Sequence, residues 1–151
     1  MNKVSENPTC IKALGRRVND IMPKTMIEKA NANKAKINAE NVEFVESVVT
    51  SIPLSNNTAD CIISNCVINL VPEEEKQLAF NEMYRLLRPG GRVAISDILA
   101  RKELTKGIKE NIALYVGCIA GASQVSEYEA YLKKAGFGGE SNFFHWGMTN
   151  D

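Results

Sequence analysis

The chain has no excess charge of either sign: 18 Lys and Arg stand against 18 Asp and Glu in 151 residues. That balance gives no ground for a nucleic-acid partner or for an anionic membrane surface. Long apolar runs are also lacking. No stretch nears the roughly 20 apolar residues that span a bilayer, and the polar opening Met1–Gly15 does not suit a signal peptide. A soluble, cytoplasmic protein is therefore expected. Histidine is reduced to His145, which receives no role. The four cysteines, Cys10, Cys61, Cys66 and Cys118, form no CxxC pair. This excludes a zinc ribbon or a redox dithiol, and in a reducing compartment all four are expected as thiols. Glycine is missing where a cofactor turn would need it. The only glycine before Gly90 is Gly15, so no Gly-x-Gly precedes Asp20.

What is present is enough for one core, with 44% hydrophobic residues. The first fifteen residues have weak periodicity and read as an irregular lead-in, and residues 16–151 as one domain. Pro23 suits the first turn of a helix, with Met26, Ile27 and Ala30 recurring at helical spacing above a Lys- and Asn-rich face. Asn41 to Val45 alternates and reads as a short strand. Asp60-Cys61-Ile62-Ile63-Ser64 is a compact apolar run that suits a strand covered on both faces. Pro72 followed by Glu73, Glu74 and Glu75 opens a helix whose positive end favours carboxylates. Its inward stripe is Ala79, Met83, Leu86 and Leu87, and Pro89-Gly90-Gly91 stops it.

Arg92 to Ile98 gives another buried-strand pattern. Ile108, Ile112, Tyr115 and Ile119 mark a further helix. Ser126 with Glu129 matches a capping box for a helix carrying Tyr128, Tyr131, Leu132 and Ala135, and Gly136 ends it. Phe143, Phe144 and Trp146 suit a last strand. Strand and helix alternate, which implies an α/β layer structure with a largely parallel sheet.

Two motifs carry a family resemblance. Leu87-Arg88-Pro89-Gly90-Gly91-Arg92 looks like the helix-to-strand junction of class I methyltransferases. Ile63-Ser64-Asn65-Cys66-Val67-Ile68-Asn69-Leu70, together with Tyr115-Val116-Gly117-Cys118, resembles the two cysteine-bearing segments of arsenite methyltransferases. The resemblance runs from about Asp20 to about Phe137. It implies S-adenosylmethionine as cofactor, arsenite or its thiol adduct as substrate, and Cys66 and Cys118 as two of three arsenic-binding thiolates. It assigns Asp20, Met22, Ser64 and Asn65 to the cofactor, the last two near its methionine part. The chemistry is coherent, because arsenic(III) is soft and thiophilic and prefers thiolates to oxygen or nitrogen ligands.

Each of these residues also has a plainer reading. Cys61 suits a small buried hydrophobe, Asn65 and Asn69 can satisfy backbone groups at a strand end, and Asp97 suits a structural cap. Cys10 is the only candidate third thiol on the N-terminal side. Cys61 stands five positions before Cys66, so on a continuous strand the two would face opposite ways.

The chain also departs from the family. The first strand, glycine-rich loop and following helix look absent, as in an N-terminal truncation. The fold expected is thus an incomplete Rossmann-like class I methyltransferase sheet. In the family that first strand lies centrally, so its loss would open hydrogen-bond ladders on its neighbours and permit self-association through exposed sheet edges. The acid that normally holds the cofactor's ribose aligns with Ile21, leaving Asp20 one residue early. Two alternatives to arsenite methylation follow. One is a non-enzymatic, thiol-based remnant that binds metalloid or partners. The other is a methyltransferase for an organic substrate such as a quinone precursor, since those enzymes share the Pro-Gly-Gly junction.

Overall fold

The computed structural model describes residues 10–13, 24–111 and 118–138. Strand β1 is Cys10–Ala13, helix α1 Lys24–Lys36, strand β2 Ala59–Asn65, helix α2 Glu73–Leu86 and strand β3 Leu87–Ser96. One turn of helix, α3, covers Lys106–Lys109, and α4 covers Val125–Ala135. The strands form one parallel sheet in the order β1-β2-β3. This is the α/β, incomplete Rossmann-like arrangement that the sequence implies.

The covered face of the sheet explains why α2 and α4 form where they do. Ile62 and Ser64 point toward α2, and Ala79, Phe80, Met83 and Leu86 face back, all buried. Tyr128 of α4 completes this core, its ring 5.4 Å from that of Phe80 in an edge-to-face contact. Tyr131 stacks on Phe80 at the same distance, 5.4 Å between centroids. Such aromatic pairs add to simple burial through their quadrupoles.

The turn from α2 into β3 uses the Pro-Gly-Gly motif as a bulge. Ala59 lies opposite Leu87 but Cys61 opposite Arg92, so β3 carries extra residues there. Gly90 takes φ +81°, and a Cβ on Gly91 would stand 2.9 Å from the Arg88 carbonyl oxygen. Both glycines are therefore required by the bulge geometry. Arg88 Nη1 donates to both carboxylate oxygens of Asp60, at 2.9 and 2.7 Å, and ties its two sides together.

Several expectations need correction. Residues 10–13 form a strand inside the stretch read as an irregular lead-in, because the edge of β2 offers ladder partners; Cys10 pairs opposite Cys61 and Ala13 opposite Ser64. That edge of β2 is therefore filled over four residues instead of open. Asn41–Val45 forms no strand, and Val42 and Val45 are exposed, because alternation alone supplies no neighbour to bond with. β2 and β3 are covered on one face only: Ile63 is 40% exposed, and Arg92, Ala94 and Ser96 alternate outward. β3 stops at Ser96, before Asp97 and Ile98. Of the helix expected from Ile108 to Ile119, the described residues show one turn, Lys106–Lys109, and place Ile119 in a bend. The capping box belongs to Gln124 and Glu127, two residues earlier than expected, because Val125 and not Glu127 begins the helix. Gly136 does end α4, at φ +106°. Ile112, Tyr115 and the Phe143–Trp146 segment lie outside the described residues.

Candidate functional site

The site is built at the carboxyl end of β2, where open α/β sheets place their ligands. The strand ends at Asn65, and Cys66 turns the chain with φ +53°. Its N–H donates to Ser96 O at 2.9 Å, which holds the turn against the end of β3. A 3-10 turn, Ile68–Leu70, follows at once and leads into α2. Cys118 takes the same left-handed conformation, φ +63°. Asn38 and Asn57 share it, but asparagine tolerates this region through local hydrogen bonding, whereas cysteine has no such device.

Cys118 reaches the Cys66 turn. Cys118 is buried, and its Sγ approaches Cys66 O at 3.7 Å. Cys66 is exposed, with Sγ 3.6 Å from Asn65 Oδ1. The distant cysteine segments are thus brought to one place across 52 residues of sequence. Cys61, Cys66 and Cys118 carry no disulfide.

A buried polar network lies beneath them. Asp97, just past β3, accepts from Ile68 N at 3.2 Å and from Tyr128 OH at 3.0 Å. It therefore caps the 3-10 turn, as the plainer reading held. Burial raises the Asp97 carboxyl above its ordinary value despite these two donors. Burial and the neighbouring Asp97 likewise push the Tyr128 phenol upward, so it remains a donor. Asn69 is fully buried and donates from Nδ2 to Ile98 O at 2.7 Å and Cys118 O at 3.0 Å. Lys76, also fully buried, donates to Glu73 Oε2, Gly121 O and Ser123 Oγ at 3.0, 2.7 and 2.6 Å. Its three N–H donors are all used, as a buried ammonium requires. Among the described residues, two buried polar atoms find no hydrogen-bond partner, Ser64 Oγ and Asp97 Oδ1, at the carboxyl ends of the adjacent β2 and β3.

Of the residues singled out from sequence, Ser64, Asn65, Cys66 and Cys118 lie together here, and Asp20 and Met22 fall outside the described residues. Cys61 is half-buried within β2. Cys10 aligns with Cys61, about 13 Å of strand before Asn65 at the usual rise, so β1 does not bring it to the pair. Among the described residues no three His, Cys, Asp or Glu side chains converge as a metal site. Sequence reading missed Lys76 and the depth of Asn69. The only signal for Lys76 was its fit to the stripe of Ala79, Phe80 and Met83.

A thiol-bearing turn at the end of a parallel strand, with a Pro-Gly-Gly return into the next strand, suits a methyltransferase sheet. The methyltransferase-domain family matches residues 20–136, and the chain belongs to that family. The resemblance to arsenite methyltransferases is borne out. The chain is 45% identical over 118 residues to the arsenite methyltransferase of Halobacterium salinarum, covering 78% of this chain and 29% of that protein. It is 35% identical over 102 residues to that of Homo sapiens, covering 66% of this chain and 27% of the relative.

Among solved structures, it resembles an arsenic(III) S-adenosylmethionine methyltransferase from Chlamydomonas reinhardtii. The TM-score is 0.66 with 27% identity, over 78% of this chain and 41% of that one. A ubiquinone/menaquinone biosynthesis C-methyltransferase of Escherichia fergusonii matches at 42% identity over 55 residues, only 36% of this chain. The chain thus spans under a third of the first two relatives' length. Among the described residues, no helix is long and apolar enough to cross a membrane.

Proposed function

We propose that this chain binds trivalent arsenic between Cys66 and Cys118 and methylates it from S-adenosylmethionine. The observation that carries the reading is the approach of Cys118 Sγ to Cys66 O, 3.7 Å apart, on two turns in the same unusual backbone conformation. With arsenite as As(OH)3, each thiol proton leaves with an arsenic hydroxyl as water, and an As–S bond replaces an As–O bond. Two thiols therefore release two waters with no change of oxidation state. The arsenic lone pair stays available, so the work of the protein is orientation and no general base is required.

The residues present fit the methionine end of the cofactor. Ser64 Oγ is buried and lacks a partner at the strand end, and the exposed Asn65 adjoins it with a polar amide. S-adenosylmethionine, when bound, supplies an electrophilic methyl group on its sulfonium. Ser64 and Asn65 would hold its amino-acid portion, while Asp20 and Met22 remain the candidates for the adenosine portion.

The test is titration of the reduced chain with S-adenosylmethionine, beside a methylation assay with arsenite and a thiol. Methyl transfer that disappears in Cys66→Ser and in Cys118→Ser supports the reading; activity indifferent to both substitutions favours an organic substrate. The exposed Cys66 beside Cys118 equally suits a second reading, metalloid binding without transfer. That reading expects cysteine-dependent arsenite binding with no methylated product.

The proposed setting is the cytoplasm, where thiols stay reduced. Self-association would use the outer edges of β1 and β3, which pair with no further strand among the described residues.

A further inference from the structure

We infer that Asn69 is the positioning residue that sets Cys118 against Cys66, and that Gly121 is the position that lets it do so. The inference rests on the two-thiol reading above and asks what fixes the spacing of the sulfurs. Cys66 needs no extra device, because it follows directly on a paired strand. Cys118 lies in a turn outside the strands named above, in the left-handed conformation.

Asn69 joins that turn to the Cys66 turn. It sits three residues after Cys66 in the 3-10 turn, so it moves as one unit with that thiol. Both Nδ2 protons are used, on Ile98 O at 2.7 Å and on Cys118 O at 3.0 Å. Its Oδ1 lies 3.4 Å from the Tyr128 hydroxyl oxygen, whose proton goes to Asp97, so the unit also abuts α4. One primary amide thus spans the Cys66 turn, the exit from β3 and the Cys118 turn. No other side chain of this size offers two donors and an acceptor on one planar group. Aspartate would bring an acceptor toward two carbonyl oxygens, and leucine would bond neither.

Close approach is the second requirement. A Cβ on Gly121 would stand 1.9 Å from the Asn69 carbonyl oxygen, so the segment after Cys118 rests directly on the Asn69 backbone. Lys76 holds that segment down from the other side through Gly121 O and Ser123 Oγ. Asn69 touches no reacting atom in this arrangement. It acts only through the place it gives Cys118.

The experiment uses the full reduced chain and arsenite, followed by the near-ultraviolet absorbance of As–S bonds. It is done at a temperature where circular dichroism shows each variant folded. Wild-type binding is expected to fall in Cys66→Ser and Cys118→Ser. Arsenite affinity is expected to drop about tenfold or more in Asn69→Asp and in Gly121→Ala. Labelling of the exposed Cys66 by a maleimide, which needs one thiol only, is expected to keep its wild-type rate. Gly121→Ala carries the test if Asn69→Asp does not fold. Cysteine-dependent binding that is unchanged in a folded variant overturns this inference and leaves the two-thiol reading standing. Equal changes in arsenite affinity and in Cys66 labelling also overturn it, because they indicate general loosening. Wild-type binding that ignores both cysteines overturns the reading and the inference together.

Discussion

Ile62 and Ile63 are neighbours of the same type on the same strand, yet one is 2% exposed and the other 40%. They mark the two faces of the sheet. On the Ile62 side, α2 and α4 supply Phe80, Met83, Leu86 and Tyr128, and the polar groups beneath the thiols are tied into one network. On the Ile63 side, Asn65, Ala94 and Ser96 are exposed. Stability is therefore concentrated on one side of β2, and the thiol site draws its rigidity from that side.

The largest way to break this contrast is Phe80→Ala. It removes the ring on which both α4 tyrosines pack and should cost about 3–5 kcal/mol in denaturant-induced unfolding. Ile62→Ala should follow at about 2–5 kcal/mol by the same measurement. Lys76→Met is expected to cost about 1–3 kcal/mol, since Gly121 O and the buried Ser123 Oγ lose their donor. Ile63→Ala should cost about 1 kcal/mol or less, because the side chain already keeps much of its contact with water. Equal losses for Ile62→Ala and Ile63→Ala would abolish the distinction between the faces.

The smallest effect sharpens the comparison through pH. Asp97 has its carboxyl raised by burial on the covered side. The folded state then holds the proton more tightly than the unfolded chain, so unfolding free energy falls as pH rises from the ordinary carboxylate value through the raised one. Glu73 and Glu82 are both lowered and contribute the opposite slope, being stabilising when charged. For Glu73, burial works upward but the Tyr131 hydroxyl and Lys76 outweigh it; for Glu82, Arg85 is the main cause. The difference curve between wild type and Asp97→Asn isolates the Asp97 contribution. A flat difference across that window would remove Asp97 from the account.

How far the fold could be read from sequence depended on whether its cause was local. The span of α2, the strand at Ile62 and the stop at Gly136 follow from periodicity and from torsion requirements that one or two residues impose, whereas Leu87 and Pro89-Gly90-Gly91, read as the end and the stop of α2, lie inside β3. Which face of β2 stays open is decided by helices elsewhere in the chain, and an apolar run reads the same either way. The strand at Cys10–Ala13 needed the edge of β2 to exist first. Asn41–Val45 had the pattern but lacked a neighbour. The capping box slipped because Gln124 does at that position what serine was expected to do two residues later. The approach of Cys118 to the Cys66 turn was legible only as a resemblance, since nothing in local spacing relates residues so far apart. Lys76 was not legible, because lysine on a helix is ordinarily a solvated residue and its three acceptors come from two separate segments.

Both thiols stand at torsions where glycine would rest with less strain, by an amount on the order of 1 kcal/mol each. A library of this chain selected only for resistance to heat should therefore drift toward glycine or asparagine at positions 66 and 118. One selected for survival on a thiophilic toxin should hold cysteine there. The divergence of the two populations would read out, residue by residue, what the sulfur is kept for.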